Sequence, residues 1–138
     1  MRNKEILYIF CDGSSRGNPG PAAIGISAQT HEGEEIFFIA EKIGTATNNI
    51  AEWSALKRGM EETLSRDEKK VKFKLDSELV VKQMKGEYKV KNAGLLAIKQ
   101  ECEKLKVHFD HFEIVYIPRE QNSRADALAN LAQDDKSI

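Results

Sequence analysis

Four acids, Asp12, Glu52, Asp76 and Asp126, occupy positions from which a fold can gather them. Asp12 follows the apolar run "ILYIFC", and Asp76 follows the alternating run "VKFKL". Glu52 and Asp126 each lie about one turn inside a stretch of helical period. Sites built only of carboxylate oxygen suit hard cations such as Mg²⁺ or Mn²⁺. Two such ions about 3.5–4 Å apart activate a water and stabilise a leaving oxygen at phosphorus, so these residues point to metal-assisted phosphodiester hydrolysis. Each acid also has a structural reading. Asp12-Gly13 is a common turn pair, and Asp76 suits the N-cap of a helix beginning "SELVV". Asn49-x-x-Glu52 and Ser123-x-x-Asp126 both resemble capping boxes. Together those readings fail, because four like charges at one sheet edge repel unless cations offset them. Ser, Asn or Gln would serve as caps without that cost.

The elements that position these acids follow from periodicity. Residues 5–11 are apolar after Glu5, as a central strand covered on both faces requires. "AAIGISAQT" and "EEIFFIAEKI" read as two more strands, joined by a turn at Gly33. From Asn49 the period becomes helical, with Trp53, Leu56, Met60 and Leu64 on one face. Val71, Phe73 and Leu75 alternate with lysines as a strand with one wet face. "SELVVKQMKG" is a short helix, and Leu95, Ile98, Cys102 and Leu105 mark another. "HFEIVYIP" is a fifth strand stopped by Pro118, and "NSRADALANLAQ" is a last helix. The order βββαβααβα predicts an α/β fold with a five-stranded mixed sheet flanked by helices. The crossovers make residues 5–12, 70–75 and 110–117 parallel neighbours, and open sheets carry sites at the carboxyl ends of such strands. Asp12 and Asp76 would then stand about 5 Å apart, side by side.

Length fits one domain over residues 1–138, with residues 134–138 expected to be a mobile tail. Hydrophobic content of 41% and charged content of 31% exclude a disordered or membrane-spanning class. The longest apolar run is too short for a span or a signal-peptide core, so a cytoplasmic location is expected. Cys11 and Cys102 match no metal-site spacing and read as buried, reduced thiols. Net charge is −1, but eight lysines stand against three acids between Lys69 and Lys91, a local balance of +5. Such a cluster either neutralises phosphates or forms a solvated face.

Four blocks, "CDGSSRGNPGPAAIG", "TNNIAEWSAL", "LDSELVVKQ" and "NSRADALAN", resemble in order and spacing the signature blocks of type 1 ribonuclease H (the RNase HI family). The resemblance covers roughly residues 5–133 and implies a ribonuclease H-like fold. It implies an endoribonuclease that hydrolyses the RNA strand of RNA–DNA hybrids with two Mg²⁺ or Mn²⁺ ions, leaving 5′-phosphate and 3′-hydroxyl ends. Asp12, Glu52, Asp76 and Asp126 would hold the metals. By the same match Asn18, Asn48 and Asn49 would contact the hybrid in its minor groove, where amides donate to and accept from 2′-hydroxyls. Thr47 would help seat a DNA phosphate, and Gly13, Ser14 and Ser77 would line the substrate path. The glycines after Asp12 are expected to let nucleic acid approach the backbone closely.

The sequence departs from the better-known family pattern in two places. The loop "IPREQNSRAD" lacks the histidine that longer members carry before the last acid. His108 and His111 lie at the far end of the fifth strand, about 20 Å away, which leaves Arg119 or Glu120 as auxiliary candidates. No basic handle fits between "KQMKGEYKVKN" and the next helix, and no N-terminal hybrid-binding domain is expected before the first strand. Substrate grip would then rest on Lys82, Lys85, Lys89 and Lys91, and be salt-sensitive. A monomer with no obligate protein partner is expected. The competing readings are a catalytically silent nucleic-acid-binding module, a related nuclease that also cuts double-stranded RNA, and an α/β fold with a small-molecule site.

Overall fold

The computed structural model describes residues 5–135. Its strands are β1 (Leu7–Ser15), β2 (Gly20–Gln29), β3 (Glu35–Ala46), β4 (Lys70–Leu75) and β5 (His111–Tyr116). Its helices are α1 (Asn48–Ser65), α2 (Glu78–Met84), α3 (Ala93–Lys106) and α4 (Ser123–Asp134), with a single 3₁₀ turn at Arg119–Gln121. The sheet order is β3-β2-β1-β4-β5. β1 pairs antiparallel with β2 and parallel with β4, and β4 pairs parallel with β5. The expected mixed sheet and element order are present.

Burial explains the arrangement. β1 is central, so Leu7, Ile9 and Cys11 have no exposed surface and the run needs no polar face. On one side of the sheet Trp53, Leu56 and Met60 of α1 close over Ile9 and Phe73. Phe73, Phe109 and Phe112 form an aromatic cluster with centroids 5.6 to 6.4 Å apart, within the range of favourable ring pairs. On the other side α4 lies across β2. A Cβ at Gly25 would fall 2.1 Å from the Ala125 carbonyl oxygen, so only glycine admits that helix.

Two boundaries differ from the sequence reading. β1 does not end at Asp12: the parallel ladder with β4 stops at Cys11–Leu75, but Asp12 to Ser15 go on pairing with Gly25 to Ala22 of β2. At the other end α4 continues to Asp134, where the tail was expected to begin. Gln133 donates to the carbonyls of Pro21 at 2.9 Å and Ser14 at 3.3 Å, and Asp134 pairs with Arg16 at 2.7 Å. Residues 136–138 of that tail lie outside the described residues.

Candidate active site

The carboxyl ends of β1 and β4, the first turns of α1 and α4 and the 3₁₀ turn surround an open cleft of about 410 Å³. Asp12, Glu52, Asp76 and Asp126 all line it, with Gly13, Ser14, Asn48, Asn49, Ser77 and Arg119. One carboxylate oxygen from each of Asp12, Glu52 and Asp76 lies within 4.8 Å of the other two. Asp126 joins them from α4, with Arg119 Nη2 3.8 Å from its Oδ1.

Why these acids sit here can be traced bond by bond. The starts of α1 and α2 do not need them as caps. The Thr47 hydroxyl accepts from Ile50 N at 3.2 Å, and the Ser77 hydroxyl accepts from Val80 N at 3.4 Å. Asn49 is therefore inside α1 and not its cap. Glu52 instead reaches across to β1, where its Oε1 accepts from Gly13 N at 2.5 Å. That contact depends on Gly13 itself, because a Cβ there would lie 2.1 Å from the Ala51 carbonyl oxygen. The glycine after Asp12 thus admits helix α1, and it also lines the cleft.

The acids raise one another's proton affinity. Burial, then the Asp76 charge, pushes the Asp12 carboxyl from 3.8 up to about 7. Glu52 is raised well above the usual carboxylate range by burial and by Asp12. Asp76 is raised by burial, against the pull of the Asn122 amide and the Arg119 charge. Oxygen-only donors, crowded until they hold protons, fit a hard divalent cation, which would replace those protons.

The other sequence candidates fall into three groups. Asn18 stands outside the cleft lining, but its Oδ1 accepts from Asn48 N at 3.0 Å. Asn48 Oδ1 accepts from Ser15 N at 2.9 Å. Those bonds fix the amide orientations and leave each NH₂ as a donor. Lys82, Lys85, Lys89 and Lys91 do not line the cleft. Lys82 Nζ lies 3.7 Å from Glu78 and 5.0 Å over the Tyr88 ring, and the other three are exposed. Of the two auxiliary candidates, Arg119 lines the cleft and Glu120 does not.

Sequence reasoning passed over Asn122. It directly precedes α4 and looks like a cap, yet its side chain makes no capping bond. It is 1% exposed and donates through Nδ2 to the Cys11 carbonyl at 2.9 Å. No local pattern separates a capping asparagine from one that bridges 111 residues.

A protein-family model described as reverse transcriptase-like matches residues 10–132. Ribonuclease HI of Halobacterium salinarum is 38% identical over 129 residues, covering 94% of this chain and 65% of that protein. Its crystal structure superposes with a TM-score of 0.92 at 37% identity, over 95% of this chain and 99% of that one. Ribonuclease H of Helicobacter acinonychis is 35% identical over 140 residues, 91% of each chain. A crystal structure of LC11-RNase H1 in complex with RNA/DNA hybrid matches with a TM-score of 0.88 at 39% identity, over 93% and 96% of the two chains. A mixed sheet carrying an acidic cleft at its carboxyl edge defines the class, and the chain belongs to the ribonuclease H family. It spans 65% of the Halobacterium relative and 35% of a Mycobacterium tuberculosis relative, the bifunctional protein Rv2228c.

Proposed function

We propose that residues 7–134 form one catalytic domain that hydrolyses the RNA strand of RNA–DNA hybrids, giving 5′-phosphate and 3′-hydroxyl ends. The observation that carries this reading is the convergence of Asp12, Glu52 and Asp76, with oxygens within 4.8 Å, in a cleft that Asp126 also lines. Those four carboxylates would hold two Mg²⁺ or Mn²⁺ ions. When bound, such ions supply an activated water and charge stabilisation at the leaving oxygen.

The chain's own residues do the rest. The Gly13 N–H holds the Glu52 carboxylate toward Asp12. Arg119 partly offsets the charge on Asp126 and Asp76. The free NH₂ groups of Asn18 and Asn48, with Asn49 at the cleft, are suited to donate to the 2′-hydroxyls that distinguish RNA from DNA. Thr47 would add a hydroxyl for a DNA phosphate at the start of α1, and Ser14 and Ser77 would do the same along the cleft wall. The lysines from Lys82 to Lys91 would hold the duplex beyond the cleft. Glu120 is given no role.

The test is a substrate panel: end-labelled RNA–DNA hybrid, duplex DNA, duplex RNA and single-stranded RNA, each with Mg²⁺ or Mn²⁺. Cleavage of the hybrid alone with 3′-hydroxyl products supports the reading. Equal cleavage of duplex RNA would replace it with a broader ribonuclease. Binding of the hybrid without cleavage would replace it with a silent binding module.

A further inference from the structure

The connection from β5 to α4 is fastened at two points. At its start Ile117 N donates to the Leu75 carbonyl at 2.8 Å. At its end Asn122 Nδ2 donates to the Cys11 carbonyl at 2.9 Å. Leu75 immediately precedes Asp76 and Cys11 immediately precedes Asp12, and these two residues form the last pair of the β1–β4 ladder. The connection therefore grips both strands at the residue before each acid. Asn122 makes two further contacts that matter here: its amide draws on the Asp76 carboxylate, and its own carbonyl accepts from Asp126 N at 3.1 Å. One residue thus joins the strand that carries Asp12 to the helical turn that carries Asp126.

We infer that Asn122 is a positioning residue for the metal-binding acids, setting where Asp126 stands relative to Asp12 and Asp76. This inference rests on the proposed function for its purpose, and on the bonds above for its geometry. Simple space-filling does not account for the residue. It is 1% exposed, and its Oδ1 has no hydrogen-bond partner among the described residues. An unpaired buried amide oxygen is costly, so an apolar side chain would be the better filler. What asparagine supplies there is its donor. The Cys11 carbonyl lies where the parallel ladder runs out, and a second donor must come from across the chain.

The test is calorimetric titration of Mn²⁺ into the whole protein, for wild type, Asn122→Ala and Leu128→Ala, with melting temperatures and hybrid-cleavage kinetics alongside. Leu128 is a buried α4 residue away from the cleft lining, so its variant reports ordinary core damage. Asn122→Ala is expected to bind Mn²⁺ about tenfold or more weakly, the usual effect of removing an outer support of a metal site. Its kcat should fall while KM for the hybrid stays near wild type. Leu128→Ala should melt lower yet keep Mn²⁺ affinity. Wild-type affinity in Asn122→Ala, or a loss matched by Leu128→Ala at equal melting temperature, overturns the inference. If Asn122→Ala does not fold, Asn122→Ser, which keeps a donor, is measured in its place and should fall between. Weaker Mn²⁺ binding by Asn122→Ala beside a wild type that never cuts hybrid would sustain the positioning role and reject the ribonuclease reading. No Mn²⁺ binding by wild type would reject both.

Discussion

Asp12 shows how one carboxylate reports on the whole site. Burial and the Asp76 charge raise its proton affinity to about 7, so between the ordinary carboxylate range and that value the folded protein holds a proton the unfolded chain has released. Stability from this group is therefore lost as pH rises through that window, opposite in sign to a salt-bridged acid. Without metal, Asp12→Asn should melt above wild type at pH 8, with the gap closing toward pH 4. Differential scanning calorimetry in EDTA measures this. Adding Mg²⁺ should raise the wild-type melting temperature at pH 8 far more than at pH 5, because protons compete for the same oxygens. A gap that widens toward low pH would show that Asp12 is not repelled in the folded state. Rates should follow the same direction, climbing from acidic toward mildly alkaline pH at fixed subsaturating metal.

Elements set the precision with which the acids meet, and glycine decides how closely they pack. Gly13→Ala would drive a methyl into the Ala51 carbonyl at the start of α1. A cost of about 1–3 kcal/mol in urea unfolding is expected from such overpacking. Activity should fall further than stability alone explains, because Glu52 would lose its bond to Gly13 N. Retained activity and unchanged stability would mean that α1 slides without consequence. Most elements were legible in the chain itself. Alternation marked β4, the apolar run marked β1, and three- and four-residue steps marked α1. What was not legible came from contacts distant in sequence. The "GSS" after Asp12 reads as turn, and it becomes strand because β2 pairs with it. Asn49-x-x-Glu52 reads as a capping box, yet Thr47 caps the helix and Glu52 is taken by β1. Ser123-x-x-Asp126 reads as a capping box and hides its neighbour Asn122, which ties the sheet to the last helix. The four acids themselves were visible because, although each has an ordinary reading singly, four like charges at one sheet edge repel unless a cation offsets them.

At the scale of the molecule the question is how a chain with net charge −1 would hold the proposed polyanionic substrate. Charge is unevenly spread. Lys85, Lys89 and Lys91 lie on the exposed α2–α3 connection, and Lys82 lies on α2 beside it. That connection is held by Gln83, whose Nε2 donates to the Lys89 carbonyl at 3.3 Å and whose Oε1 accepts from buried Trp53 Nε1 at 3.2 Å. Replacing Lys85, Lys89 and Lys91 by glutamate should raise KM for a hybrid at least about tenfold at low salt and flatten its salt dependence, with kcat little changed. Steady-state cleavage of a labelled hybrid at several salt concentrations measures both. An unchanged salt slope would make these lysines a solvated face.

The most direct measurement of the central claim is cleavage of a labelled RNA–DNA hybrid by wild type and Asp76→Asn, each with Mg²⁺, Mn²⁺ or EDTA. Wild type is expected to cut only with metal. Asp76→Asn should fold, melt no lower without metal, and lose about a hundredfold or more in rate, as removal of a metal-holding charge from a reacting site requires. Cleavage by wild type in EDTA, or undiminished cleavage by Asp76→Asn with metal, would contradict that claim.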